Sequence, residues 1–537
     1  MSRQLLIAGL SLVVVAAILL GTNRPTSGAQ VPAPGGVYVE GVVGHPTYLN
    51  PLLSPFNDAD KDVVSLVFSG LTRLSPDGSV VPDLATDWSL SPDGKVYTFH
   101  LRDAVWQDGQ PVTADDVVFT IDQIQATAFP GSPEFARLWQ SVKVAKIDPR
   151  TVQFSLAEPY APFLEYTTLG LLPSHLLSGV SGRAWLSNPF NAQPVGSGPF
   201  QVKSASLQEV ELQPNPHYYG QRPYLDGITF RYFDSVQAAY DALRRGDVQG
   251  LGGIPPDDVL GLASDPRIAL QQEPEYAQLN LLILNTQEPL FADDVVRRAL
   301  DLAIDRSKVI QAAIGGEGVP AAGPIMPESW AFVPQSNAYQ YDPTQAAHLL
   351  DQTGWTLPSP GALRQKAGQP FRFVLLAVNE PDRLRTAQEI SRQLRLIGVQ
   401  ADVQTAGWSG IVQDFLAPHR FDAVLTETYS PTADPDPYPF WHSSQIKNGL
   451  NIAGWSNRIA DQLLEDGRRQ EDRQARQDDY TKFQKLFAQE QPGILLYYPV
   501  YVYALPASLK GVTLGLMTQP ADRFQTVANW YLRTTSQ

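Results

Sequence analysis

No cysteine occurs in the 537 residues, which excludes disulfides, thiolate zinc sites, iron–sulfur clusters, cysteine nucleophiles and thiol-linked lipids. Histidine is sparse as well: the seven residues, from His45 to His442, never pair at i, i+3 or i, i+4, so a metal site has to be assembled from distant segments. The sequence contains no Gly-x-x-x-x-Gly-Lys phosphate loop, and the glycines around 250–253 and 315–318 lack dinucleotide-fingerprint spacing. Neither a metal nor a cofactor is expected. Basic side chains number 40 against 55 acidic, a net charge of −15, which argues against nucleic-acid binding because phosphate neutralisation needs concentrated Lys and Arg. The plain reading of that charge is a solvated acidic surface.

What is present begins with a targeting segment. Arg3 precedes an apolar run from Leu5 to Leu20 broken by Ser11, and Ser27-Gly28-Ala29 supplies the small residues a signal peptidase needs. Residues 1–29 are therefore expected to be a signal peptide, leaving Gln30 as the new terminus, or else an uncleaved anchor. At ~1.5 Å per residue the run reaches about 25 Å, at the lower edge of a membrane span. Either way the bulk is expected outside the cytoplasm. Residues 30–36 continue a Pro-, Gly- and Ser-rich tether.

The rest is too long for one compact domain; dividing by ~150 residues gives three or four lobes. Val37–Val43 reads as a strand, and Asp58–Gly70 as a helix with Val63, Val64, Val67 and Phe68 on one face. Ser-Pro-Asp-Gly occurs twice, at 75–78 and 91–94, as tight turns with Pro presetting φ and Gly free to take positive φ. The second feeds Lys95–Leu101, which alternates with a period of two. Thr113-Ala-Asp-Asp116 opens a helix with a capping box. Strands follow at Phe200–Lys203, Glu209–Leu212 and Ile228–Phe233, a helix at Ser235–Arg245, and a buried strand at Ala277–Leu284. Asp293–Ile314 carries the longest helical pattern. Phe371–Val378, Asp382–Ile397 and Val399–Gln404 form a strand–helix–strand unit, which favours parallel pairing. Ile494–Tyr503 is apolar and aromatic enough for a central strand.

Catalytic signals are weak. Gly407-Trp-Ser-Gly410 is one residue short of a serine-hydrolase elbow. Glu427, Asp434 and Asp436 form a carboxylate group with prolines between the last two, which reads more readily as a rigid loop than as an acid–base pair.

Taken in order, these segments resemble the extracellular solute-binding proteins of family 5, the peptide- and nickel-binding receptors of ATP-binding-cassette importers. The similarity rests on TFHLRDAVWQDGQPVTADDVVFT (98–120), Pro194–Phe200, Asn215–Tyr219 through Pro223–Asp226, Gly246–Val248, Asn285 with Asp293–Arg306, and Tyr341–Pro343 with Leu349–Trp355. It implies an α/β, periplasmic-binding-protein-like two-lobed clamp of the large three-domain form, with an inserted smaller α+β lobe. On that pattern lobe I is discontinuous over 37–68, 198–277 and 499–537, the inserted lobe II spans 69–197, and lobe III spans 278–498. Chain crossings near Ala277 and Pro499 would be the hinge. The implied function is an extracytoplasmic receptor, a monomer, that closes on a solute and delivers it to permease subunits whose ATPase lies in separate chains.

In peptide-binding members an acidic residue three positions before the loop's acidic-Pro dipeptide pairs with the peptide amino group. Here that dipeptide is Asp434-Pro435, and the position three before it is Pro431. Glu427 or Asp434 is the candidate substitute. Arg383 and Arg385 stand where some members place an arginine for a ligand carboxylate, a task suited to a guanidinium fork, or else form a solvated helix start. Trp408, Tyr429, Tyr438, Trp441 and Trp455 crowd the region that resembles the cleft wall, for stacking or for core. A sugar or nickel-chelate binder, a sensing receptor and, more remotely, an extracytoplasmic hydrolase stay open as alternatives.

Overall fold

The computed structural model describes residues 30–536 apart from 56, 335–339, 430–433 and 448. The expected signal peptide or anchor, and Pro431, lie outside the described residues.

Both Ser-Pro-Asp-Gly turns form. Gly78 N–H donates to Ser75 O (2.8 Å) and Gly94 N–H to Ser91 O (2.9 Å), the glycines at φ +79° and +69°, a region L side chains avoid. The second turn joins Ala85–Leu90 to Val96–Leu101. With Thr151–Ser155 and Lys143–Asp148 these strands make a separate four-stranded antiparallel sheet. Tyr97 and Phe99 fall on its buried face, as alternation requires. The helix Ala114–Gln125 packs behind it, started by the Thr113/Asp116 capping box, in which Thr113 N–H donates to the Asp116 carboxylate at 2.8 Å.

The larger sheet has 12 strands among the described residues. One side runs Gln400–Ala406, Arg372–Val378, Ala423–Tyr429, Gln278–Leu284; the other runs Gly250–Gly252, Val37–Val43, Gly227–Phe233, Glu209–Pro214, Phe200–Ala205. Between them lies the 14-residue strand Gly493–Pro506. Its first half pairs with Gln278–Leu284 (Leu281 opposite Leu495) and its second with Ile268–Pro274 (Gln271 opposite Tyr503). Two chain crossings, at 274–278 and 497–500, therefore join the two halves of an α/β clamp. The expected βαβ unit is present: Arg372–Val378 and Gln400–Ala406 pair in parallel around the helix Pro381–Leu396.

One expectation needs correction. Residues 293–314 form two helices, Asp294–Leu302 and Arg306–Ile314, because the Asp305 carboxylate accepts from Lys308 N–H and starts the second. Apolar spacing runs through the break, since Ala303 and Ile304 stay in the core.

Candidate functional site

On the half of the clamp that carries the βαβ unit, Gln278–Leu284 and Ala423–Tyr429 lie antiparallel, with Asn280 opposite Glu427 and Gln278 opposite Tyr429. This brings Glu427 to the strand end beside the crossing at 274–278. Its carboxylate accepts from Gln278 Nε2 (2.5 Å) and from the Arg383 guanidinium, which is also 3.6 Å from Asp382. Arg385, two residues further along the same helix, points elsewhere: Nε and Nη2 both donate to Ala313 O, at 3.0 and 2.7 Å. It closes the C-terminus of Arg306–Ile314, where a cation also meets the helix dipole favourably.

Beyond Tyr429 the loop returns as Asp434-Pro-Asp-Pro437. The Asp434 carboxylate is gripped by both Nη atoms of Arg476, Nη1 at 2.8 Å, the fork geometry that suits guanidinium to carboxylate. Burial pushes the Asp434 carboxyl up, and Arg476 opposes that shift. Asp434 N–H donates to the Glu165 carboxylate. Asp436 Oδ2 accepts from Arg468 Nη2 (2.5 Å) and from Tyr160 O–H (3.2 Å). The Arg468 guanidinium lies 4.0 Å from the Tyr438 ring centre and 5.1 Å from that of Tyr160. Tyr438 also stacks on His442 with centroids 4.1 Å apart. Burial, then the Asp436 charge, hold the Tyr160 phenol well above its ordinary range.

Next to this loop a small cavity of about 40 Å³ is lined by Tyr276, Leu279, Ile325, Met326, Phe440 and Trp441 together with Pro435, Asp436 and Pro437 of the loop itself. Tyr276 meets Tyr498 edge-on at 5.1 Å, and Trp441 meets Phe487 edge-on at 4.7 Å. Trp441 is 3% exposed and is part of the core as well as of the cavity wall. Trp408 is 45% exposed at the start of the short helix Trp408–Ile411.

The structure thus brings Glu427 to Arg383, gathers Asp434, Tyr438 and Trp441 at one loop, and gives Arg385 to a helix end. Sequence reasoning missed Arg468, Arg476, Tyr160, Glu165, Ile325 and Met326. The two arginines stand among similar residues in a charged stretch, and their acidic partners lie 32 and 42 positions away, so no local pattern singles them out.

Comparison with known proteins identifies the family and the fold. Residues 79–449 match the family described as bacterial extracellular solute-binding proteins, family 5. The chain is 30% identical to the oligopeptide-binding protein AppA of Bacillus subtilis (strain 168) over 99% of both chains. The solved structure of that AppA in complex with a nonapeptide superposes with a TM-score of 0.72 at 29% identity, covering 94% of this chain and 100% of the other. NikZ of Campylobacter jejuni in complex with Ni(L-His) gives a TM-score of 0.72 at 27% identity, covering 92% and 99%.

Proposed function

The chain belongs to the bacterial extracellular solute-binding proteins of family 5, and from that premise we propose that its solute is a peptide presenting an apolar side chain. The protein is the extracytoplasmic receptor of an ABC-type importer, working with permease subunits. Closure of the two halves about the crossings at 274–278 and 497–500 would enclose the solute, so binding and closure are thermodynamically linked.

The observation that carries the peptide reading is the apolar and aromatic cavity beside the loop 434–437, which suits a hydrocarbon side chain better than a sugar edge or a metal chelate. The neighbouring charges are already used: Glu427 holds Arg383, Asp434 holds Arg476 and Asp436 holds Arg468. Paired carboxylates are poor general bases, and this weighs against the hydrolytic alternative. With these acids engaged, selection would rest on shape and apolar contact. We also assign lobe II to 69–197, take Ser27–Ala29 as the processing site, and read the protein as acting on the outer face of the cytoplasmic membrane or in the periplasm.

Native mass spectrometry of the exported protein, then exposure to an equimolar pentapeptide library, tests the reading. The expected result is a retained set enriched at one position in Phe, Tyr, Leu or Met. Met326→Trp, which fills the cavity, should lower retention of those peptides by about tenfold while leaving the melting temperature within a few degrees. Recovery of a single sugar or metal chelate would overturn the peptide assignment, and N-terminal sequencing decides the processing site.

A further inference from the structure

The segment Glu158–Glu165 follows the four-stranded sheet in the chain, and it touches the clamp half that carries the cavity at four points. Tyr160 O–H donates to Asp436 Oδ2 at 3.2 Å. Ala161 N–H donates to Arg468 O at 2.9 Å, Arg469 Nη2 meets Glu158 Oε2 at 2.9 Å, and Asp434 N–H donates to the Glu165 carboxylate. At the centre the Arg468 guanidinium lies against the rings of Tyr160 and Tyr438 while bonded to Asp436. A cation between two aromatic faces and paired with a largely buried carboxylate loses much of its hydration, so its contacts count for more than those of a solvated pair.

We propose that this knot is a latch that holds the clamp closed before any solute arrives, and that Tyr160 and Arg468 set solute affinity as positioning residues without touching the solute. The proposal rests on the closing-receptor reading above and extends it. A receptor that is closed for only a fraction of the time binds its solute more weakly by that fraction. A pre-formed latch raises the closed fraction and with it the apparent affinity, while the cavity alone decides which solute is chosen. The carboxylates 434 and 436 are then the latch's anchor points, and the arginines that hold them keep the loop in position.

The test measures closure in solute-free protein. The chain has no cysteine, so Ile147→Cys on the four-stranded sheet and Leu396→Cys at the end of the helix Pro381–Leu396, exposed by 57% and 68%, give two clean dye sites for single-molecule energy transfer. Bound material is removed by reversible denaturation. The expected result is a mainly closed population in the stripped parent protein and a mainly open one after Tyr160→Phe with Glu158→Gln. Affinity for the library peptides recovered above should fall about tenfold, matching a tenfold fall in closed fraction, with peptide preference unchanged. Arg468→Ala leaves Asp436 unpaired and is prone to misfolding; the double variant keeps the Arg468–Asp436 pair and avoids that problem. A stripped parent protein as open as the variant would overturn the latch, as would an affinity loss without opening. If no peptide binds at all, the peptide assignment fails, while the distance measurement still decides the latch.

Discussion

Arg523 carries one positive charge between two buried carboxylates: Nε meets Glu40 Oε1 at 3.0 Å, and Nη1 and Nη2 reach Asp62 at 2.7 and 2.5 Å. The hydroxyls of Tyr38 and Tyr503 donate to Glu40 Oε2 at 2.5 and 3.0 Å. Burial pushes both carboxyls up, and the guanidinium is what pulls them back. Removing one partner of such a group leaves uncompensated charge in the core. Arg523→Ala is therefore expected to destabilise the protein by about 3–5 kcal/mol in urea unfolding, and Arg523→Lys, which keeps the charge but not the fork, by clearly less. Nothing in the sequence marks Arg523, because its partners lie 461 and 483 positions earlier. The same holds for Arg468 and Arg476 at the candidate site. Glu427, Asp434, Tyr438 and Trp441 were legible because they cluster within 15 consecutive residues, a density that family resemblance made meaningful; their charge partners were not.

Arg385 shows how an element decides a residue's role. It lies two positions after Arg383 on the helix Pro381–Leu396, so the two side chains leave opposite faces. Arg383 reaches the strand end at Glu427, while Arg385 closes a neighbouring helix that ends at Gly315 with φ +64°. Arg385→Met is accordingly expected to cost about 0.5–1 kcal/mol of thermal stability, the value of a helix C-terminal contact, and to leave peptide binding unchanged. A selective loss of affinity would return Arg385 to the solute. A second element-level constraint sits in Gly250–Gly252, where a Cβ on Gly250 would fall 1.7 Å from the Tyr38 hydroxyl and one on Gly252 1.8 Å from that of Tyr501. Gly250→Ala should lower the unfolding free energy by about 1–3 kcal/mol through overpacking. Local rules made most elements readable: the two Pro-Asp-Gly turns, the capping box at Thr113, the alternation at 96–101 and the βαβ unit all follow from spacing within a few residues. The break between Leu302 and Arg306 was hidden because core-facing residues continue across it, and the joining of two half-sheets by one 14-residue strand is a non-local fact that an apolar run does not record.

At the scale of the whole molecule, the hinge gathers negative charge from both halves of the clamp. Glu275 sits at the first crossing, and its N–H donates to Pro499 O in the second at 2.8 Å. Burial foremost, then the charges of Asp58, Glu427 and Asp522, push its carboxyl up to about 7, with Lys61 opposing weakly. Asp58 and Asp522 belong to the half that contains Val37–Val43, Glu427 to the other, so the repulsion is felt most when the halves are together. Between pH ~4.5 and ~7 the folded protein keeps a proton that the unfolded chain has lost, and the unfolding free energy therefore falls as pH rises through this window. Glu275→Gln, neutral throughout, should match the parent protein at pH 4 and exceed it at pH 8 by about 1–2 kcal/mol, a figure reduced for residual solvent screening. Opening separates Glu427 from Asp58 and Asp522, so the same charge also works against closure. Small-angle scattering of stripped protein should show a more compact particle at pH 5 than at pH 8, and the difference should shrink in Glu275→Gln. A compaction that persists undiminished in the variant would mean that other groups, not the hinge carboxyl, couple protons to closure.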